Sequence, residues 1–272
     1  MSVRALKHLP SLLACSWLPW IAPPLVAAVA CSFSCTYGPG TDDDPGLVGR
    51  SADESFALVA TDPAAGKTGV STGWHIELRF DGPPDPDTAI PANVRVFAGL
   101  IETTGEIELD LLDQWVRFIP SSPLRSRLRH QVYVHRSLRG LNGVSLEDTV
   151  VYNFTTGDDA ATPSPPQRPD VAGSQVQAEV FSRCASCHAP PAPPARVDLS
   201  ALSAAVDTLR RVPASYGSKL RVAPGDHARS YLMMKLLGSG GFVGFRMPAT
   251  GSPLTRKELR LVASWIDGGA RP

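Results

Sequence analysis

Between Phe56 and Gly157 apolar and polar residues alternate with a period of two. Trp74, Ile76, Leu78 and Phe80 are separated by His75, Glu77, Arg79 and Asp81, the pattern of a strand with one buried and one wet face. Val94 and Val96 alternate with Asn93 and Arg95, and Ile107, Leu109 and Leu111 with Glu106, Glu108 and Asp110. Further strands are predicted at 114–119, 130–135 and 150–155. Turn formers interrupt these runs at Asp81-Gly82-Pro83-Pro84, Thr104-Gly105, Ser121-Ser122-Pro123 and Leu141-Asn142-Gly143. About seven short strands in about 100 residues predict a β-sandwich. His75, His130 and His135 fall within it and are expected on its surface.

After residue 170 the period lengthens to that of helices. A first helix over 174–185 places Val176, Val180, Phe181 and Cys184 on one face. A second is predicted over 226–237, with Asp226 as its N-cap after the Pro224-Gly225 turn. A third opens on the capping box Thr255-Arg256-Lys257-Glu258, with Leu254 and Leu259 as a staple, and ends at Gly268-Gly269. Phe181 is expected to pack against Trp265. Pro163, Pro165, Pro166 and Pro169 lie between the two patterns and predict an extended, semi-stiff linker.

The chain begins with a third pattern. Arg4 and Lys7 precede an uncharged stretch from Leu9 to Ala30 that ends Ala28-Val29-Ala30-Cys31, the arrangement of an export signal. Cys31 resembles the acylated cysteine of a bacterial lipoprotein box; Leu12-Leu13-Ala14-Cys15 is a second local match with almost no apolar run before it. An uncleaved membrane anchor is the alternative, which Pro19, Pro23 and Pro24 oppose. Cys35 is left as a thiol that could pair with Cys31. Residues 36–50, with Asp42 to Asp44, are expected to be a solvated tether.

Charge adds an asymmetry. The 272 residues carry 26 basic and 26 acidic side chains, which argues against a nucleic-acid partner. Residues 46–159 hold 16 acidic and 10 basic side chains, and residues 170–272 hold 7 and 13. The second module therefore offers a basic face that suits an acidic partner.

The segment Cys184-Ala185-Ser186-Cys187-His188 carries the most specific chemistry. With five Cys and six His in the chain, this pattern arises by chance roughly 0.002 times. Two thiols one helical turn apart can add to the vinyl groups of haem, and the adjacent His can reach the iron. A zinc site lacks a second Cys pair, and a dithiol redox pair lacks its βαβ setting. The candidates for the opposite axial position are Met247, in a Gly- and Pro-rich loop, and His227; Met233 and Met234 sit in an apolar helix and are expected to fill core. Arg246, Arg221 and Lys219 are candidates to pair with haem propionates.

Two resemblances sharpen these readings. The run from Thr61 to Thr72, the Ile76–Phe80 strand, Leu141-Asn142-Gly143 and the closing Tyr152-Asn153-Phe154-Thr155-Thr156-Gly157 are similar to bacterial Ig-like domains of the surface-layer type. That resemblance implies a spacer or adhesive module without catalytic residues. The Cys-x-x-Cys-His segment, Leu220 to Asp226, Ser230-Tyr231-Leu232, Arg246-Met247-Pro248 and Trp265 to Ala270 resemble a class I monohaem cytochrome c of planctomycete and myxobacterial type. It implies thioether bonds at Cys184 and Cys187, axial ligation by His188 and Met247, and a Pro carbonyl orienting His188, for which Pro190, Pro191, Pro193 and Pro194 compete.

The expected fold class is multidomain: an N-terminal all-β Ig-like sandwich followed by an all-α cytochrome c domain. The expected organisation is a signal peptide (1–30), a tether (31–53), the sandwich (54–158), a linker (159–171) and the haem domain (172–272). The expected protein is an exported electron carrier rather than an enzyme. It would hold one covalent haem c, be anchored by a lipid at Cys31 in the periplasm or outer membrane, and serve redox partner proteins. The alternatives are a haem peroxidase or ligand sensor, and a surface-binding protein in which the Ig-like module does the work.

Overall fold

The computed structural model describes residues 55–161, 169–214 and 218–272. The signal, Cys15, Cys31, Cys35, the Asp triplet and Pro163, Pro165 and Pro166 of the linker lie outside the described residues.

Eight antiparallel strands build the sandwich: β1 (Leu58–Asp62), β2 (Ile76–Phe80), β3 (Val94–Ala98), β4 (Ile101–Thr103), β5 (Gly105–Asp110), β6 (Trp115–Pro120), β7 (Arg129–Val134) and β8 (Val150–Thr155). They form two four-stranded sheets, ordered β1-β2-β6-β5 and β4-β3-β7-β8. Alternation sets what each strand buries. Ile76 and Leu78 stand opposite Phe118 and Val116, while Val94 and Val96 stand opposite Val134 and Val132. All eight are buried between the sheets, the favourable way to remove two apolar faces from water at once. Phe56 stacks on Phe80 with ring centroids 4.8 Å apart and closes one end.

One surface expectation fails. His130 is fully buried and stacks on Phe154, 5.2 Å between centroids and 10° between planes. Its Nδ1 donates to the Leu128 carbonyl at 3.1 Å. His130 is in phase with Val132 and Val134 on β7, so the same alternation that buries those valines carries the imidazole inside. Burial pushes its pKa below 6.5, because the charged form loses its hydration.

Beyond residue 169 the all-α expectation is corrected. The helices are short: α1 (Gly173–Val176), a π-helical turn (Gln177–Phe181) and α2 (Ser182–Cys184) form one continuous run, followed by α3 (Leu202–Leu209), α4 (Tyr231–Leu237) and α5 (Arg256–Asp267). A 3₁₀ turn covers Pro194–Arg196. Irregular chain and isolated bridges, such as Arg210 with Val222 and Pro213 with Leu220, occupy much of the rest. The described molecule is thus mostly β-sandwich with a few short helices, not a sandwich followed by an all-α domain. Closely spaced Pro and Gly are the reason, since they remove backbone donors and favour turns over helix propagation. The predicted 226–237 helix shrinks to α4 for a local reason. Asp226 accepts from the Arg229 backbone at 2.9 Å and pairs with its guanidinium, so it builds a turn, and Ser230 stands at the N-cap instead. The capping box of α5 is formed as predicted, with Thr255 accepting from Glu258 N and the Glu258 side chain accepting from Thr255 N. Leu254 and Leu259 are both buried beside it.

The two parts of the chain share a core. The turn joining β5 to β6 carries Leu111 and Leu112, both fully buried, and they belong to the same apolar cluster as Phe181, Met234, Val262 and Trp265. Asp110 shapes this turn by accepting from Leu112 N at 2.7 Å and Asp113 N at 2.8 Å. Asp113 then meets α5: it pairs with Arg256 at 2.9 Å and with Arg260. Burial raises the Asp113 pKa, but the hydrogen bonds and charges of Arg260 and Arg256 outweigh it and hold the carboxyl below the usual range. Leu141 joins the same cluster, and Lys219 holds Asp87 with contacts of 2.8 and 2.7 Å. Part of the basic excess of residues 170–272 thus meets acidic groups of the chain's own sandwich.

Two outcomes follow. Replacing Leu112 by Ala opens a void where sandwich and helices meet. It should lower the unfolding free energy by about 2–5 kcal/mol, with sandwich and helix signals in chemical denaturation shifting together. His130 is neutral when folded and takes up a proton more readily when unfolded. Its contribution is therefore complete above pH 6.5 and declines as pH falls below that value. His130→Phe should flatten the fall in melting temperature between neutral and mildly acidic pH. His75, also shifted down by burial and by Arg117, should leave a residual slope.

Candidate functional site

The Cys-x-x-Cys-His segment sits at the end of the first helical run. Val176, Val180 and Phe181 are buried, and Phe181 meets Trp265 edge to face at 5.5 Å and 83°. That contact pins the run to α5 and fixes where the thiols emerge. Backbone bonds from Cys187 N and His188 N to the Cys184 carbonyl, 3.1 and 2.9 Å, close the segment into one tight turn. Both cysteines are free thiols, Cys184 half-buried and Cys187 exposed. Burial pushes the Cys184 thiol up, only partly offset by Arg183.

His188 is oriented by a carbonyl, though not by one of the four candidate prolines. Its Nδ1 lies 3.2 Å from the Val197 oxygen. A carbonyl can only accept, so Nδ1 carries the proton and the lone pair is on Nε2. This is the arrangement by which a ligating imidazole is held in one orientation. Leu199 N donates to the His188 carbonyl at 2.7 Å, so the chain returning through Val197 and Leu199 grips the residue at both side chain and backbone. Pro190, Pro191, Pro193 and Pro194 instead shape the excursion that brings Val197 back.

The other candidates divide. Met247 is partly buried against the same apolar cluster as Cys184, and its N–H donates to the Lys235 carbonyl at 2.8 Å. Met233 and Met234 are fully buried core. His227 is also buried, with Nδ1 3.0 and 3.1 Å from the two Asp267 oxygens and Nε2 accepting from Leu111 N at 3.4 Å. It joins α5 to the β5–β6 turn and is committed to that task. Arg221 donates to the carbonyls of Thr208 and Ala195 at 2.7 and 2.6 Å, and Arg246 to that of Leu236 at 3.2 Å. With Lys219 on Asp87, all three basic candidates hold protein groups. Among the described residues no cluster of three or more His, Cys, Asp or Glu could hold a metal ion.

A second site lies on the sandwich. A groove of about 680 Å³ runs over the outer face of the β4-β3-β7-β8 sheet, lined among others by Arg95, Phe97, Leu100, Gln131 and Tyr133. Sequence reading passed over it, although the signal was present: Phe97 and Tyr133 are aromatic residues on the polar phase of β3 and β7.

Comparison with known proteins bears on the sandwich. No curated protein matches the chain. Several solved structures align with low scores. One is the S-layer protein rSbsC(31-844), at 15% identity over 44% of this chain and 16% of that one, TM-score 0.31. Another is an L,D-transpeptidase from Mycobacterium smegmatis, at 17% over 38% and 41%, TM-score 0.28. A third is alpha-2-macroglobulin from Escherichia coli spanning domains MG0-NIE-MG1, at 18% over 39% and 33%, TM-score 0.31. The chain spans well under half the length of each. The resemblance to class I cytochromes c is corrected: no cytochrome family matches the chain, so membership of that family and the electron-carrier identity drawn from it are not supported. What matches is the family model described as bacterial Ig-like domain, over residues 52–156.

Proposed function

We propose that this is an exported protein of the bacterial cell envelope in which the Ig-like sandwich is the binding module. The match of residues 52–156 to bacterial Ig-like domains carries the reading. The groove on the outward sheet face supports it by giving that domain a recognition surface, and the export-signal pattern read in residues 1–30 supports the location. The helical part then buttresses the sandwich through Leu111, Leu112 and Asp113. The test uses purified full-length chain carrying Cys31→Ser, so that no lipid can mediate attachment. It should co-sediment saturably with isolated cell envelopes; absent or non-saturable sedimentation overturns the reading.

A second reading rests on the geometry at His188. We propose that Cys184, Cys187, His188 and Met247 would hold one haem c, the two cysteines through thioether bonds. Two free thiols on one turn and an imidazole already held through Nδ1 suit that group. When bound, haem supplies one-electron redox chemistry. The chain's part is to hold the imidazole ring through Val197, to pin the thiols through Phe181 and Trp265, and to present the Met247 thioether from its loop. Protein matured with a cytochrome c assembly system should give a pyridine haemochrome spectrum of one haem per chain, covalent in wild type and lost in the Cys184→Ala, Cys187→Ala double variant. A colourless wild-type protein overturns this reading and leaves the envelope-binding one intact.

A further inference from the structure

The outer face of the β4-β3-β7-β8 sheet departs from what an exposed sheet face needs. Such a face is ordinarily polar, yet the in-register rows place Phe97 between Glu102 and Gln131, and Tyr133 between Arg95 and Val151. Phe97 and Tyr133 meet edge to face, 5.4 Å apart at 84°. At the β3–β4 hairpin Leu100 is 101% exposed and borders the groove. Neither ring is needed by the core, which lies on the other side of the sheet.

The chemistry of the walls narrows the ligand. The one cation aimed across the floor, Arg95, stacks over Phe97 at 4.8 Å. Glu102 holds it in a bidentate pair of 2.7 and 2.6 Å. Its charge is cancelled in place, so the groove offers no excess charge to a phosphate or an acidic peptide. β3 and β7 are both interior strands. Their backbone groups are taken up by neighbours, and an added peptide strand finds no partner there. Recognition must come from side chains alone. These supply aromatic carbon and hydrogen-bonding groups together: the Tyr133 hydroxyl donates to Gln131 Oε1 at 2.6 Å, which leaves the Gln131 amide as a donor group in the lining, and Ser137 lines the same groove. A pyranose ring has the complementary surface, with a C–H face for the aromatic rings and hydroxyls for the amide and hydroxyl groups. The volume, about 680 Å³, lies within the ordinary range of ligand sites.

We propose that this groove binds a neutral polysaccharide, with Tyr133 and Phe97 as the platform and Gln131 as the polar contact. The proposal rests on the reading of the Ig-like domain as the binding module and gives it a ligand class. Affinity gel electrophoresis of the full-length chain in laminarin, soluble starch and galactomannan tests it. At least one should retard the wild type, and Tyr133→Ala should weaken that retardation at least tenfold with no change in far-ultraviolet circular dichroism. Gln131→Leu, an outward change of similar size, should weaken it severalfold and serves as the second measurement if the tyrosine variant misfolds. Retardation by none of the three, or retardation untouched by both substitutions, overturns the proposal. Envelope sedimentation that survives Tyr133→Ala overturns it too, while leaving the broader binding reading standing.

Discussion

The structure depends on the burial of two leucines where a hairpin would ordinarily be polar. Leu111 and Leu112 sit at the turn between β5 and β6 and are fully buried in one cluster with side chains of the helical part. Each leucine removed from water is worth about 1.5–3 kcal/mol, which is large beside the marginal stability of a domain. The ion pairs around it, Asp113 with Arg256 and Arg260, are partly exposed and contribute less, but they fix the direction from which α5 approaches. His227 completes the joint by linking Asp267 at the end of α5 to the backbone of the turn.

This joint changes the meaning of the charge asymmetry. An acidic sandwich and a basic helical part suggest surfaces turned toward other molecules. In the folded chain some of that complementarity is intramolecular, with Lys219 on Asp87 and two arginines on Asp113. The helical part supplies most of this core itself, from Val176 to Ala270, and the sandwich adds Leu111, Leu112 and Leu141; such packing is what sustains helices of seven or eight residues, which are marginal in water when isolated.

The sandwich was legible because its strands obey one rule, alternation. Six strands could be placed from that rule alone. β1 and β4 could not: β1 is an edge strand with a bulge between Leu58 and Ala60, and β4 has three residues. The rule was also stronger than its first application. Followed strictly, it places His130 with Val132 and Val134 inside, and it marks Phe97 and Tyr133 as aromatic residues facing outward. The Cys-x-x-Cys-His turn and the α5 capping box were legible because they are contiguous. The Val197 carbonyl was not, because any residue has one and only the returning chain decides which arrives. The Leu111–Leu112 joint was illegible for the same reason, its partners, Phe181, Met234, Val262 and Trp265 among them, lying far onward in the chain.

The shared core makes the covalent connection between the two parts redundant for holding them together. A single cleavage in the proline-rich stretch would leave Leu111, Leu112 and Asp113 seated against α5. The nicked chain would then travel as one particle, and only denaturation would reveal that it had become two polypeptides.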